Sequence, residues 1–328
     1  MSLPSAATQA LLPRLVEEGL YRMLRGLARA IAALPSRWVL RAADRLGDVL
    51  YLFDRRGRTA GRQNLDVVFG PALPEAERRA ILRDSMRGAA RSILILLPAA
   101  PLTPARFRRW VEVPPGVEDA LRAGGRTAGG AVVVSGHLGN WEILLGMAGV
   151  FRDLMSTTFL VETSVHPAVD RFLAYLRGTG GGASAPRKGG ALALSRHVRR
   201  GGIAALLFDR NVRRNQGGIW APLFGLQTRT TPLPALLARK NDVPIAPVFC
   251  LPRPDGRYEI ALGPEVSMDV RTGDLRADVR EITTRLNGLL EDVIREHPHA
   301  WNWTLKRFKS RPTREQGAYP PYSLFDPG

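Results

Sequence analysis

The sequence predicts an α/β chain built on a mainly parallel central sheet flanked by helices. Three short apolar runs carry that expectation: Ala131–Ser135 (AVVVS), Ser156–Val161 and Gly202–Phe208, each the length of a buried strand. Segments with apolar residues at three- and four-residue spacing separate them. Strands and helices therefore alternate along the chain, as a parallel sheet with helical crossovers requires.

The 328 residues suffice for one large or two small domains, and an apolar content of 45% supports a sizeable core. The formal charge is +17, and all but four of the 47 basic residues are Arg. Such a surface points to an anionic partner: nucleic acid, a phosphorylated substrate or an anionic bilayer. The lone Cys250 leaves no internal disulfide, and its apolar surroundings predict a buried thiol. The five His are too scattered to suggest a metal cluster.

Residues 1–10 are small and polar, lack the features of a signal peptide and are expected to be disordered. From Leu11 to Leu34 the pattern is amphipathic, with Leu20, Leu24, Leu27, Ile31 and Leu34 on one side and Arg22, Arg25 and Arg29 on another. No run reaches the roughly 18 apolar residues of a spanning helix. An interfacial helix and a surface helix packed on its own domain both fit. Pro35 ends this helix, and Ser36 opens a second that runs to about Phe53.

Pro74–Leu97 reads as a long helix ending in an apolar run that suits core or a membrane-facing patch. A short edge strand at Val111–Val113, a helix at Pro115–Ala123 and another at Pro167–Leu176 complete the first half. Leu176–Gly190 (LRGTGGGASAPRKGG) reads as a mobile loop near the substrate or an inert linker. It follows a helix rather than a strand and has no acidic ribose partner, which excludes a dinucleotide-binding loop. Val243–Cys250 and Tyr258–Leu262 flank a Pro-Asp-Gly turn and predict a hairpin. Asp274–Glu296 carries a clean helical apolar face.

The stretch with chemistry on it is AVVVSGHLGNWEILLGMAGV, residues 131–150. A strand leads into a glycine-bearing turn that holds His137, and Glu142 follows five residues later. On one regular helix, at roughly 100° per residue, they would point about 140° apart. With His137 on the turn and Glu142 in a first helical turn they can meet. A carboxylate on one imidazole nitrogen fixes the tautomer and leaves the other nitrogen as a base. Plain structural roles also fit: Glu142 complementing a helix dipole and Asn140 acting as an N-cap.

Further on, Asp209 and Arg210 close the strand Gly202–Phe208, at the carboxyl end where α/β folds place function. NQGGIWAPLFGLQTRTT then has the content of an ordered binding loop, with Thr230 and Thr231 as binding residues or as helix caps. HPHAWNWTLKRFKSRP near the C-terminus fits an aromatic-basic nucleic-acid surface or an interfacial belt.

Four blocks resemble, in order, those of the late acyltransferases of lipid A biosynthesis, part of the wider glycerolipid acyltransferase superfamily. They are Arg62-Gln63-Asn64-Leu65 with Phe69; GHLGNWE with its His-x4-Glu spacing; Asp209 with APLFG and the threonines; and Pro298, Trp301, Trp303, Arg307, Phe308 and Lys309. The resemblance implies that fold, with membrane-associating helices over 1–54, an acyltransferase domain over 55–312 and a tail over 313–328. It implies His137 as general base oriented by Glu142, with Asn140, Asp209, Arg210, Thr230 and Arg307 around the substrate. The reaction implied moves a fatty acyl chain from acyl carrier protein or coenzyme A to a hydroxyl of a glycolipid, with no metal and no cofactor besides the acyl co-substrate. Backbone N–H groups of the Gly139–Asn140 turn, or a nearby Arg, would serve the oxyanion.

The partners implied are an anionic membrane surface, an acidic carrier protein and a glycolipid acceptor, not nucleic acid. The place implied is the cytoplasmic face of a bacterial inner membrane, bound peripherally. The chain departs from the family where the second strand ends: it has Val161-Glu162 where relatives carry an Arg, and Arg171 is the candidate substitute. Three rival readings stay open: acyl transfer to a phosphatidylinositol mannoside or lysophospholipid, a basic nucleic-acid-binding protein, and a membrane protein without turnover.

Overall fold

The β-branched run at Ala131–Ser135 forms the middle strand of a seven-stranded sheet, with strands buried on both sides of it. The computed structural model describes residues 6–99, 103–127, 129–151, 153, 156–161, 166–178 and 183–327. Along the first half run α1 (Ala6–Ala32), α2 (Ser36–Phe53), α3 (Arg55–Phe69), α4 (Glu75–Leu94), α5 (Leu96–Ala99), α6 (Pro104–Trp110), β1 (Val111–Glu112), α7 (Pro115–Thr127), β2 (Ala131–Ser135), α8 (Met147–Val150), β3 (Thr157–Val161) and α9 (Pro167–Gly178). The second half holds β4 (Ala183–Pro186), α10 (Arg187–Arg199), β5 (Ile203–Leu207), β6 (Ile219–Leu223), β7 (Leu226–Thr230), α11 (Leu233–Asn241), β8 (Ile245–Pro252), β9 (Tyr258–Leu262), α12 (Leu275–Glu296), β10 (Ser310–Arg311) and β11 (Leu324–Phe325).

The strand order is β1-β9-β8-β2-β5-β3-β4, parallel throughout except for the β8–β9 hairpin. Alternation along β2 sends Val132 and Val134, both fully buried, to one side. There they pack with Ala204 and Leu206 of β5 and with Ala235, Ala238 and Leu286 of α11 and α12. The other side faces Phe107, Trp110, Ile143 and Phe172, from α6, the turn after β2 and α9. This is the helix–sheet–helix layering that the alternating pattern predicted.

Three local expectations are corrected. Helix α1 is already formed at Ala6, whereas 1–10 were expected to be disordered; 1–5 lie outside the described residues. The Gly-rich stretch 176–190 holds edge strand β4, paired in parallel with β3, and the start of α10. Sheet pairing overrides the weak local propensity there. The segment expected to be a binding loop is the antiparallel ribbon β6–β7, turned at Phe224-Gly225 with positive φ at both.

The apolar face of α1 divides. Leu20, Leu24 and Ile31 pack on the body, while Met23, Leu27 and Leu34 face outward. Helix α2 lies along α4, clamped by Asp44–Arg91 at 2.6 Å and by Asp48 to both Arg83 and Arg87 at 2.7 Å. These pairs are partly exposed, so they fix orientation more than they stabilise. No helix among the described residues is long and apolar enough to cross a membrane. The tail folds back: Tyr322 donates its hydroxyl to Asn64, and Asp326 accepts from Arg229 at 3.1 Å.

Candidate active site

The register of the two central strands assembles the site. Ser135 pairs with Leu207, so the chains leaving β2 and β5 run side by side, and two residues further on each carries an ionisable group: His137 and Asp209. His137 Nδ1 and Asp209 Oδ1 are 2.7 Å apart, and the His137 backbone N–H donates to Oδ2 at 2.7 Å. The Trp301 indole N–H donates to Oδ2 at 2.9 Å. Asp209 and Trp301 are fully buried, and Trp301 stacks edge-on against Trp303 at 4.7 Å. With an ionised carboxylate on Nδ1, the neutral ring carries its proton there and leaves Nε2 as the basic lone pair. Nε2 makes no hydrogen bond among the described residues, and the ring lines a cavity beside Trp141, 5.2 Å away.

Burial pushes the Asp209 carboxyl up, but the charge of His137 and hydrogen bonds from its ring, the Trp301 indole and the His137 amide hold it below its ordinary value. The folded chain then binds fewer protons than the unfolded chain across that gap. The contribution to stability is complete above about pH 4 and is lost as the pH falls through the folded value. Asp209→Asn is therefore expected to destabilise the fold at neutral pH by on the order of 2 kcal/mol. The difference from wild type should narrow below about pH 4, as read from denaturant midpoints across the acid range.

The His137 turn is set by groups far along the chain. The His137 carbonyl accepts from the Asn302 N–H at 2.9 Å. The Gly139 N–H donates to the Ala300 carbonyl and the Asn140 N–H to the Cys250 carbonyl, each at 2.9 Å. Gly139 has φ +62°, and a Cβ there would fall 1.9 Å from the Cys250 carbonyl oxygen, so only glycine fits. These bonds remove one of the two oxyanion donors expected, the turn amides, and leave the other, a nearby Arg. The Gly139 and Asn140 amides are committed to carbonyls and do not serve an oxyanion.

Placing the other predicted residues changes several roles. The carboxylate on Nδ1 is Asp209's and not Glu142's. Leu138 and Gly139 are bridged to Trp301 and Cys250, which holds the turn out of helix, and Glu142 follows it as a cavity-lining residue. Asn140 is fully buried, and its Oδ1 accepts from the Ile143 N–H at 3.1 Å, so it shapes the turn. Arg210 lines the cavity with Arg213 and Lys309.

Arg171 is directed to α1 instead, pairing with Glu18 at 2.5 Å and covering the Tyr21 ring at 4.0 Å. Thr230 and Arg307 are fully buried behind the site; Arg307 Nη2 donates to Thr230 Oγ1 at 2.6 Å. Burial pushes the Arg307 guanidinium down to about 10, against the pull of Asp209 and Tyr322. Thr231 lines the cavity and accepts from the Leu233 N–H at 3.3 Å just before α11, whose N-cap position is Pro232. Glu162 lies outside the described residues. The role of Trp301 was missed; the Trp-x-Trp block was its only sequence signal.

The cavity measures about 980 Å³. Its floor is one face of the sheet: Val248 of β8, Val133 and Ser135 of β2, Ile203 and Ala205 of β5, and Thr157 and Phe159 of β3. Four adjacent strands at their usual spacing give this track a length of about 14 Å. A general base at the rim of a long, mostly apolar trough can deprotonate a hydroxyl beside a bound hydrocarbon chain. No group of three His, Cys, Asp or Glu able to hold a metal occurs among the described residues.

Residues 14–310 match the family described as bacterial lipid A biosynthesis acyltransferase. The chain is 22% identical over 285 residues to the lipid A biosynthesis palmitoleoyltransferase of Escherichia coli K12, covering 84% of this chain and 86% of that protein. It is also 22% identical over 297 residues to lipid A biosynthesis acyltransferase 2 of Shigella flexneri, covering 90% and 91%.

Proposed function

Since the chain belongs to the bacterial lipid A biosynthesis acyltransferase family, and so is an acyltransferase, we propose that it moves a fatty acyl chain from an acyl thioester to a hydroxyl of a lipid A precursor. The observation that carries the reading is the His137–Asp209 pair at 2.7 Å, with Nε2 left to an apolar-floored trough. The acyl chain lies along the floor, with its thioester carbonyl at the His137 end. Nε2 takes the proton of the acceptor hydroxyl as its oxygen attacks the carbonyl carbon. The resulting imidazolium, stabilised by Asp209, returns the proton to the departing thiolate of acyl carrier protein or coenzyme A.

Arg210, Arg213 and Lys309 at the margin favour a phosphorylated glycolipid as acceptor. The outer side of α1 and α2 favours peripheral binding to an anionic membrane. Met23, Leu27, Leu34, Trp38, Leu52 and Phe53 are exposed there, Phe53 to 79%, among many Arg. Exposed apolar side chains on an Arg-rich segment suit an interface with anionic lipid. On the cytoplasmic face of the inner membrane such a platform would bring the trough to both substrates.

The test is transfer from a labelled acyl thioester in detergent, with a lipid A precursor and a lysophospholipid as separate acceptors. Product on the lipid A precursor supports the reading; product on the lysophospholipid alone overturns it. Ala205 lies mid-floor, so Ala205→Phe blocks the track. The ratio of kcat/KM for long over short acyl donors should fall about 10-fold or more.

A further inference from the structure

We propose that the Ser135 hydroxyl is the hydrogen-bond donor to the thioester carbonyl oxygen as it becomes an oxyanion. This deepens the acyl-transfer reading above and rests on it. Attack puts negative charge on that oxygen, which needs a donor already in place. The two amides of the Gly139–Asn140 turn are not available, since their N–H groups are held by the Ala300 and Cys250 carbonyls. With those two amides taken, a side chain in the cavity wall can supply the donor.

Ser135 is the last residue of β2, two before His137, and only 2% exposed. Its Oγ is buried without a hydrogen-bond partner and belongs to the cavity wall. A buried hydroxyl left unsatisfied costs free energy and calls for an explanation, which a ligand oxygen in the cavity would supply. Its position on the strand is telling. Val133 and Ser135 point to the cavity while Val132 and Val134 point away, so the apolar track on β2 ends in one hydroxyl where the chain turns to the base. An acyl chain lying on Val133 and Ala205 would bring its carbonyl to that hydroxyl.

Ser135 is not placed to act as a nucleophile. No base touches its Oγ, and His137 Nδ1 is occupied by Asp209. The balance of the step is simple. The acceptor oxygen forms a C–O bond as its proton passes to His137 Nε2, and the carbonyl electron pair moves to oxygen, where Ser135 Oγ–H donates. On collapse the C–S bond breaks, and the thiolate leaves with the proton from the imidazolium. Ser135 keeps its own proton throughout.

The test uses the full-length chain with a labelled acyl thioester and the lipid A precursor, comparing wild type with Ser135→Ala and Ser135→Thr. Loss of one such donor is expected to lower kcat by about 100-fold or more in Ser135→Ala. KM for both substrates and the pH dependence of kcat should stay unchanged, and the melting temperature should not fall. Ser135→Thr, which keeps a hydroxyl, should retain most of the rate. Wild-type turnover in Ser135→Ala overturns the proposal while leaving the acyl-transfer reading intact. So does an equal loss in folded Ser135→Thr, which would assign the effect to packing. A covalent acyl adduct on the wild-type chain without acceptor, absent from Ser135→Ala, would overturn it in favour of an acyl-serine. If wild type transfers no acyl group at all, the reaction itself is wrong.

Discussion

Replacing His137 by Ala is expected to lower acyl transfer by roughly 10²- to 10⁴-fold with KM for the thioester little changed. In the proposed mechanism a base acts only as the hydroxyl proton moves, so its removal would raise the barrier without loosening an acyl chain bound on the strand floor. The imidazole is held by Asp209 at Nδ1 and lies beside Trp141, so Ala leaves a small void at the cavity wall and takes the ring partner from the buried Asp209 carboxylate, and a lowered melting temperature is expected beside the lost rate. Steady-state rates beside melting curves check this. A variant that melts like wild type and turns over like wild type would remove His137 from the chemistry.

The second large effect separates two carboxylates. Asp209→Asn should cost up to about 10⁴-fold in kcat, whereas Glu142→Gln should cost less than about 10-fold. The asymmetry follows from donor and acceptor counts. Oδ2 already accepts from the His137 amide and the Trp301 indole, so an Asn must place its oxygen there and its NH2 toward Nδ1. Nδ1 then becomes the acceptor, the ring proton moves to Nε2, and the base is lost with every atom near its place. Glu142 lines the cavity without holding Nδ1. Equal losses in the two variants, both folded, would return the orienting role to Glu142.

Much of this was legible in the chain because the periodic signals were strong. The AVVVS strand, the strand ending in Asp209, the Pro-Asp-Gly hairpin and the apolar face of α12 all have a period that only one element satisfies. His137 and Asp209 were each visible as ionisable groups at strand ends. Their meeting was not, because it depends on the register Ser135–Leu207, a fact about two strands rather than one. The His-x4-Glu spacing offered a nearer carboxylate, and proximity in sequence pointed to the wrong neighbour for Nδ1. Strand β4 was hidden for the opposite reason: GTGGGASAP has almost no strand propensity, and pairing with β3 imposes the strand. Thr230 and Arg307 were expected around the substrate, with Thr230 also fitting a helix cap. They are instead a buried polar knot with Asn287, which donates to Thr230 at 3.2 Å.

The strut from Trp301 and Asn302 to the His137 turn sets a schedule for the newborn polypeptide. His137 is made 164 residues before Trp301, which at 5–20 residues per second is about 8 to 33 s of translation. Throughout that interval β2 can gather its neighbours, but the His137 carbonyl lacks Asn302 and Asp209 lacks its indole. Until then the His137 turn and the Asp209 carboxylate lack two of the bonds that hold them in the folded chain. If the proposed base needs this strut, a message truncated just before Trp301 should yield an inert product even where the sheet has formed.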